Sequence, residues 1–145
     1  MSWYSDWFLA DEPEAEAIAS IATDEARSFE DWPHLSLRSV GEMELMRLWG
    51  ALRGETSRAG EMSSEALFVG DEEGGPIVSR VDPRLIAALA AVKKPDLDRV
   101  AAAWHACEEM AEWERGTVAE VLREMADFAR RAKRARKPVL QLDVW

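Results

Sequence analysis

The densest set of chemically capable side chains is Trp104-His105-Ala-Cys107-Glu108-Glu109-Met-Ala-Glu112-Trp113-Glu114. On one continuous helix His105 would share a face with Glu108, Glu109 and Glu112, which follow it by three, four and seven positions. An imidazole nitrogen and carboxylate oxygens on one face suit a divalent cation. A single helix offers too few ligands, however, and the second His-carboxylate helix of carboxylate-bridged bundles is missing. The expectation is a solvated acidic face with His105 paired to Glu109, and no metal or cofactor is assigned.

Nucleophilic chemistry finds no better support. Cys107 follows His105 by two positions, so on a helix the two side chains diverge. It lies with Trp104 and Ala111 on an apolar stripe, which predicts a buried, inert thiol. Neither a Gly-x-Ser-x-Gly elbow nor a phosphate-cradling glycine loop occurs. Asp71-Glu-Glu-Gly-Gly75 lacks the spaced oxygens of a calcium loop and reads as a solvated hairpin turn. No catalytic residue is assigned. An enzyme or small-ligand site would have to assemble from separated groups, of which His34, His105, Asp71, Glu108 and Glu109 are the candidates.

Charge gives a different lead. The 145 residues carry 28 acids and 18 Lys or Arg, a net of −10. Residues 1–79 hold 17 acids and 5 bases, and residues 80–145 hold 11 and 13. So acidic a chain is a poor candidate for nonspecific nucleic-acid binding. The basic run Arg130, Arg131, Lys133, Arg134, Arg136 and Lys137 complements a helix C-terminus, and can pair with the acidic N-terminal segment. Among seven tryptophans, Trp49 and Trp104 sit on apolar stripes. Trp7, Trp32 and Trp113 instead have acids as neighbours: Asp6, Asp31, Glu112 and Glu114. Tryptophan rimmed by charge fits an interface anchor. Trp7, Trp32, Trp113 and Glu112 are therefore the candidate binding residues. The function expected is a small acidic interaction module, an inhibitor or toxin-neutralising (immunity-type) protein that binds a basic protein surface.

These residues need elements to hold them. Trp3 to Leu9 reads as a strand, and Asp11, Pro13 and Glu14 start a helix over about 12–27. His34 to Val40 alternates as a half-buried strand, and Glu42 to Arg53 carries Leu45, Leu48, Trp49 and Leu52 at helical spacing, with Gly54 as its stop. Residues 54–64 form the expected flexible loop. Ala66–Gly70 and Pro76–Val81 make a hairpin across 71–75. Asp82-Pro83 opens a helix to about Val92, and Asp96 caps another reaching about Arg115. Thr117-Val-Ala-Glu120 spells a capping box before the stripe Val118, Val121, Leu122, Met125, Phe128, Ala129 and Ala132. Val139 to Trp145 alternates as a terminal strand. Five helices and about five short strands predict a single α+β domain with a mostly antiparallel sheet.

A cytoplasmic setting is expected. The lone Cys107 allows no intrachain disulfide, and the N-terminus lacks the basic start of a signal peptide. The longest apolar run, Leu85 to Val92, falls well short of the roughly 20 residues of a membrane span.

From residue 35 onward the order of elements resembles that of the bacterial YfbM-like family. The residues carrying this are His34-Leu-Ser-Leu37, Glu44-Leu-Met-Arg-Leu-Trp-Gly-Ala-Leu-Arg-Gly54, Val81-Asp-Pro-Arg-Leu-Ile-Ala-Ala-Leu89 and Lys137-Pro-Val-Leu-Gln-Leu142. The sequence departs by having Glu112-Trp-Glu-Arg115 where a Tyr-Pro-Gly-like segment would stand. The resemblance implies an α+β fold and supplies no catalytic residues.

Overall fold

A computed structural model describes residues 4–22, 29–38, 40–55, 62–71 and 75–144. The strands are β1 (Tyr4–Leu9), β2 (His34–Arg38), β3 (Glu65–Val69), β4 (Ile77–Arg80) and β5 (Val139–Val144). The helices are α1 (Ala15–Ala19), α2 (Glu42–Arg53), α3 (Pro83–Ala91), α4 (Lys94–His105) and α5 (Arg115–Ala135). The fold is α+β, as the alternation of patterns predicts.

The sheet order is β2-β1-β5-β4-β3, and every pairing is antiparallel. The last strand in sequence is thus the central one, bonded to β1 on one side and β4 on the other. Alternation along β1 and β5 divides the core between two faces. Trp7, Leu9 and Val139 join α2, α3, α4 and α5 on one face. Phe8, Leu140 and Leu142 pack with Ala15, Ile18 and Ala19 of α1 on the other. Leu140 and Leu142 therefore face a core as expected, while Trp145 lies outside the described residues.

Local chemistry explains several boundaries. Asp82 caps α3 by accepting from the Arg84 amide at 2.9 Å. Gly54 ends α2 at φ 70°, a left-handed conformation that glycine adopts without penalty. All seven residues of the α5 stripe are buried. Among the described residues no helix is long and apolar enough to cross a membrane.

Four expectations are corrected. The helix expected over 12–27 is a chain of short turns around α1. The Ser20 hydroxyl bonds the Ala17 carbonyl at 2.6 Å, a local alternative to the helical ladder. Residues 23–28 of that span are outside the described residues, as are 56–61 of the expected loop and 72–74 of the hairpin turn. Lys93, not Asp96, is the N-cap of α4, and Asp96 sits in its first turn. The helix expected to reach Arg115 stops at His105, because Met110 falls six positions after Trp104 and off its stripe. A break at Cys107 and a short turn over Glu108–Met110 bury Met110 completely. Tertiary burial overrides local periodicity here.

The fourth concerns Thr117. The α5 N-cap is Glu114, so Thr117 lies inside the helix and no capping box forms there. Thr117→Ala should then leave the denaturant midpoint within about 0.5 kcal/mol of wild type, since alanine is the better helix former and no cap is lost. A loss near 1 kcal/mol would restore the capping role.

Candidate functional site

The face of the sheet towards α2 carries an internal polar relay. Trp7 of β1 is wholly buried, and its indole Nε1 donates to Gln141 Oε1 on β5 at 2.9 Å. An indole only donates, so the Gln141 oxygen must face it and the amide nitrogen must point along the strand. That nitrogen donates to Asp143 at 3.0 and 3.1 Å, and the Ser5 hydroxyl donates to the same carboxylate at 2.5 Å. Period-two alternation fixes this geometry, because Ser5 pairs with Asp143 and Trp7 with Gln141.

Above the relay opens a cavity of about 280 Å³. Its floor is Gln141 and Asp143 of β5 with Ile77 and Ser79 of β4. Glu42 and Leu45 of α2 form one wall, and Met62, Ser64, Val81 and Asp82 form the other. Two larger depressions, of 360 and 330 Å³, lie at the α1–hairpin junction and between α2 and α4. Neither rests on a buried hydrogen-bonded floor, and the first cavity is the candidate site for that reason.

The acids around it differ in character. Asp82 is held by Arg84, whose guanidinium lies at 2.7 Å, and it also accepts from the Ser63 amide at 2.8 Å. These bonds lower its carboxyl to about 2 and pin the segment before β3 to the start of α3. Burial, with Glu42 adding repulsion, pushes Asp143 above the usual carboxylate range despite its hydrogen bonds from Ser5 and Gln141. Asp6, on the opposite face of β1, is also raised by burial.

These opposed shifts set a pH profile. Asp6 and Asp143 hold a proton in the fold at a pH where the unfolded chain has released it. Their contribution to stability is present at low pH and lost as pH rises through the raised values. Asp82 contributes above the ordinary aspartate value and loses that contribution as pH falls towards 2. Stability should therefore gain from Asp6 and Asp143 as pH falls through their raised values, and lose the Asp82 contribution as pH falls from the ordinary aspartate value towards 2. Asp82→Asn should cost about 2 kcal/mol at neutral pH, and the cost should fade as pH falls through about 2. Denaturant melts across pH check both, and a cost independent of pH would contradict the assignment to charge.

The sequence-derived residues do not converge on this cavity. Trp7 was expected at a surface, yet it is 0% exposed and anchors the floor from beneath. Half-buried Trp32 bonds Glu14 at 2.5 Å on the α1 face, whereas Trp113 packs against the other core beside exposed Glu112. With the helix broken at Cys107, His105 donates to the Trp113 carbonyl at 2.8 Å. Glu109 pairs with Arg47 at 3.0 Å, not with His105. Among the described residues no three His, Cys, Asp or Glu side chains gather as a metal site. His34 stays exposed against Phe8 and Phe29, and neither histidine lines any of the three cavities. Cys107 is only half-buried, although burial still pushes its thiol up. Lys137 does approach the acidic N-terminal segment, at 3.9 Å from Asp11.

Sequence reasoning missed Glu42, Ser79, Gln141 and Asp143. The available signal was the pair of polar residues alternating with Leu140, Leu142 and Val144, which reads as a solvent face only if β5 is a sheet edge. Comparisons with protein-family models, with curated proteins and with solved structures return no match for this chain.

Proposed function

We propose that this chain is a small acidic protein-interaction module that binds a basic protein surface, as an inhibitor or toxin-neutralising (immunity-type) protein does. The observation that carries the reading is an excess of acid which the fold does not neutralise. Internal ion pairs such as Arg80 with Glu12 and Glu65, or Arg130 with Asp127, consume charges in opposite-sign sets. They cannot reduce the net −10. A field of that sign speeds encounter with a basic partner and suppresses encounter with an acidic one. The single cysteine supports a cytoplasmic setting.

The alternative, an enzyme or small-ligand protein, draws support for its carboxylate half from Glu42 and Asp143 at the cavity. Its histidine half has no such support. To test the leading reading, partners are crosslinked in native lysate, purified and recombined with this protein. A basic partner should associate with a rate that falls steeply between about 0.05 and 0.5 M salt. Failure to reconstitute any basic partner at either salt would sink the proposal.

A further inference from the structure

Most of the unused bonding capacity of the cavity is acceptor capacity. Gln141 Nε2 and the Ser5 hydroxyl already donate to Asp143, and Trp7 Nε1 to Gln141. Only the Ser64 and Ser79 hydroxyls remain as side-chain donors. The rest is acceptors: Glu42, the remaining lone pairs of Asp143, and the second lone pair of the Gln141 oxygen. Gln141 is 6% exposed, so this floor is built in and not a mobile surface fringe. No Lys or Arg lines the cavity, and among the described residues no ion pair reaches Glu42 or Asp143.

Leu45, Met62, Ile77 and Val81 supply apolar wall beside these acceptors. At about 280 Å³ the space lies below the roughly 300–1,000 Å³ of drug-sized ligand sites. It suits one charged head on a short alkyl stem. A guanidinium fits better than an ammonium, because its planar fork has five donors for acceptors on two elements and it is more weakly hydrated.

We propose that the cavity between α2 and the β4–β5 floor receives a guanidinium on an alkyl stem, its charge met by Glu42 and Asp143. The source is either an arginine side chain of the basic partner or a free small guanidine. In the first case the inference rests on the function proposed above and names the contact at its centre.

The test uses the full chain and three probes, N-acetylarginine methylamide, agmatine and the uncharged citrulline counterpart of the first, followed by indole N–H resonances. The two guanidines should shift the Trp7 indole, which connects to Asp143 through Gln141. Glu42→Gln should weaken binding about tenfold, the usual worth of one charged hydrogen-bond partner. Asp143→Asn should weaken it further. Because Asp143 is half-buried and hydrogen-bonded to Ser5 and Gln141 while Glu42 is exposed, the Glu42 variant keeps the test decisive if the Asp143 variant misfolds. Citrulline binding equal to arginine, or no shift of Trp7 by any probe, would overturn the proposal. Agmatine binding much tighter than the arginine amide assigns the site to a free guanidine. The reverse order, with loss of partner affinity in Glu42→Gln, assigns it to a partner's arginine. A partner complex indifferent to Glu42→Gln, with no probe bound, would remove the cavity site and leave the interaction reading standing.

Discussion

Removing residues 139–145 is expected to abolish folding outright. This segment contains β5, central to the sheet, and its loss takes the pairing partner from both β1 and β4. Val139, Leu140 and Leu142 are at most 1% exposed. Each contributes roughly 1.5–3 kcal/mol of burial before entropy is deducted. Together they approach the total stability of about 5–15 kcal/mol that a domain of this size has. Ending the chain after Pro138 should give a product without a cooperative melt, and Leu140→Ala alone should cost about 2–5 kcal/mol. A truncated chain melting cooperatively at the full-length temperature would contradict the central placement.

Trp7 should show the next largest effect. Trp7→Ala removes a wholly buried ring that packs 6.3 Å from Phe128, and should cost about 3–5 kcal/mol. Trp7→Phe separates packing from hydrogen bonding. It keeps a ring but strips the donor from the Gln141 oxygen, which should cost about 1–3 kcal/mol. It should also loosen the floor, so guanidinium binding should weaken although no ligand contact was removed. Equal stability in wild type and Trp7→Phe would mean that the relay does not order the floor.

How much of this was legible in the sequence depends on the range of the interaction concerned. The α5 stripe and the Asp82 cap follow from spacing within a few residues, and the fold bears them out. So does the hairpin of β3 and β4, although its turn residues 72–74 lie beyond the described structure. The Thr117 capping box failed because Thr117-Val-Ala-Glu120 is equally good helix interior, and only tertiary packing selected the earlier start at Glu114. The His105–Glu112 face failed for a related reason, since burying Met110 breaks the helix that would have aligned it. The candidate cavity was the least readable. It joins residues as distant as Ser5 and Asp143, and whether a polar residue on β5 meets water or a cavity depends on which strands flank it. Trp7 was misplaced because its neighbour Asp6 is itself buried, at 4% exposure. A charged neighbour in sequence is no sign of solvent on a strand whose two faces are both covered.

Carboxyl carbon NMR of Asp143, titrated with and without N-acetylarginine methylamide, bears on the central claim most directly. Alone, Asp143 should titrate above the ordinary aspartate value, because burial and Glu42 oppose its ionisation. With the arginine amide present its titration should move down, since an opposite charge within hydrogen-bonding range favours the ionised form. An Asp143 that titrates at or below the ordinary value, and does not respond to the guanidinium, would contradict both the unneutralised cavity and the partner it was inferred to receive.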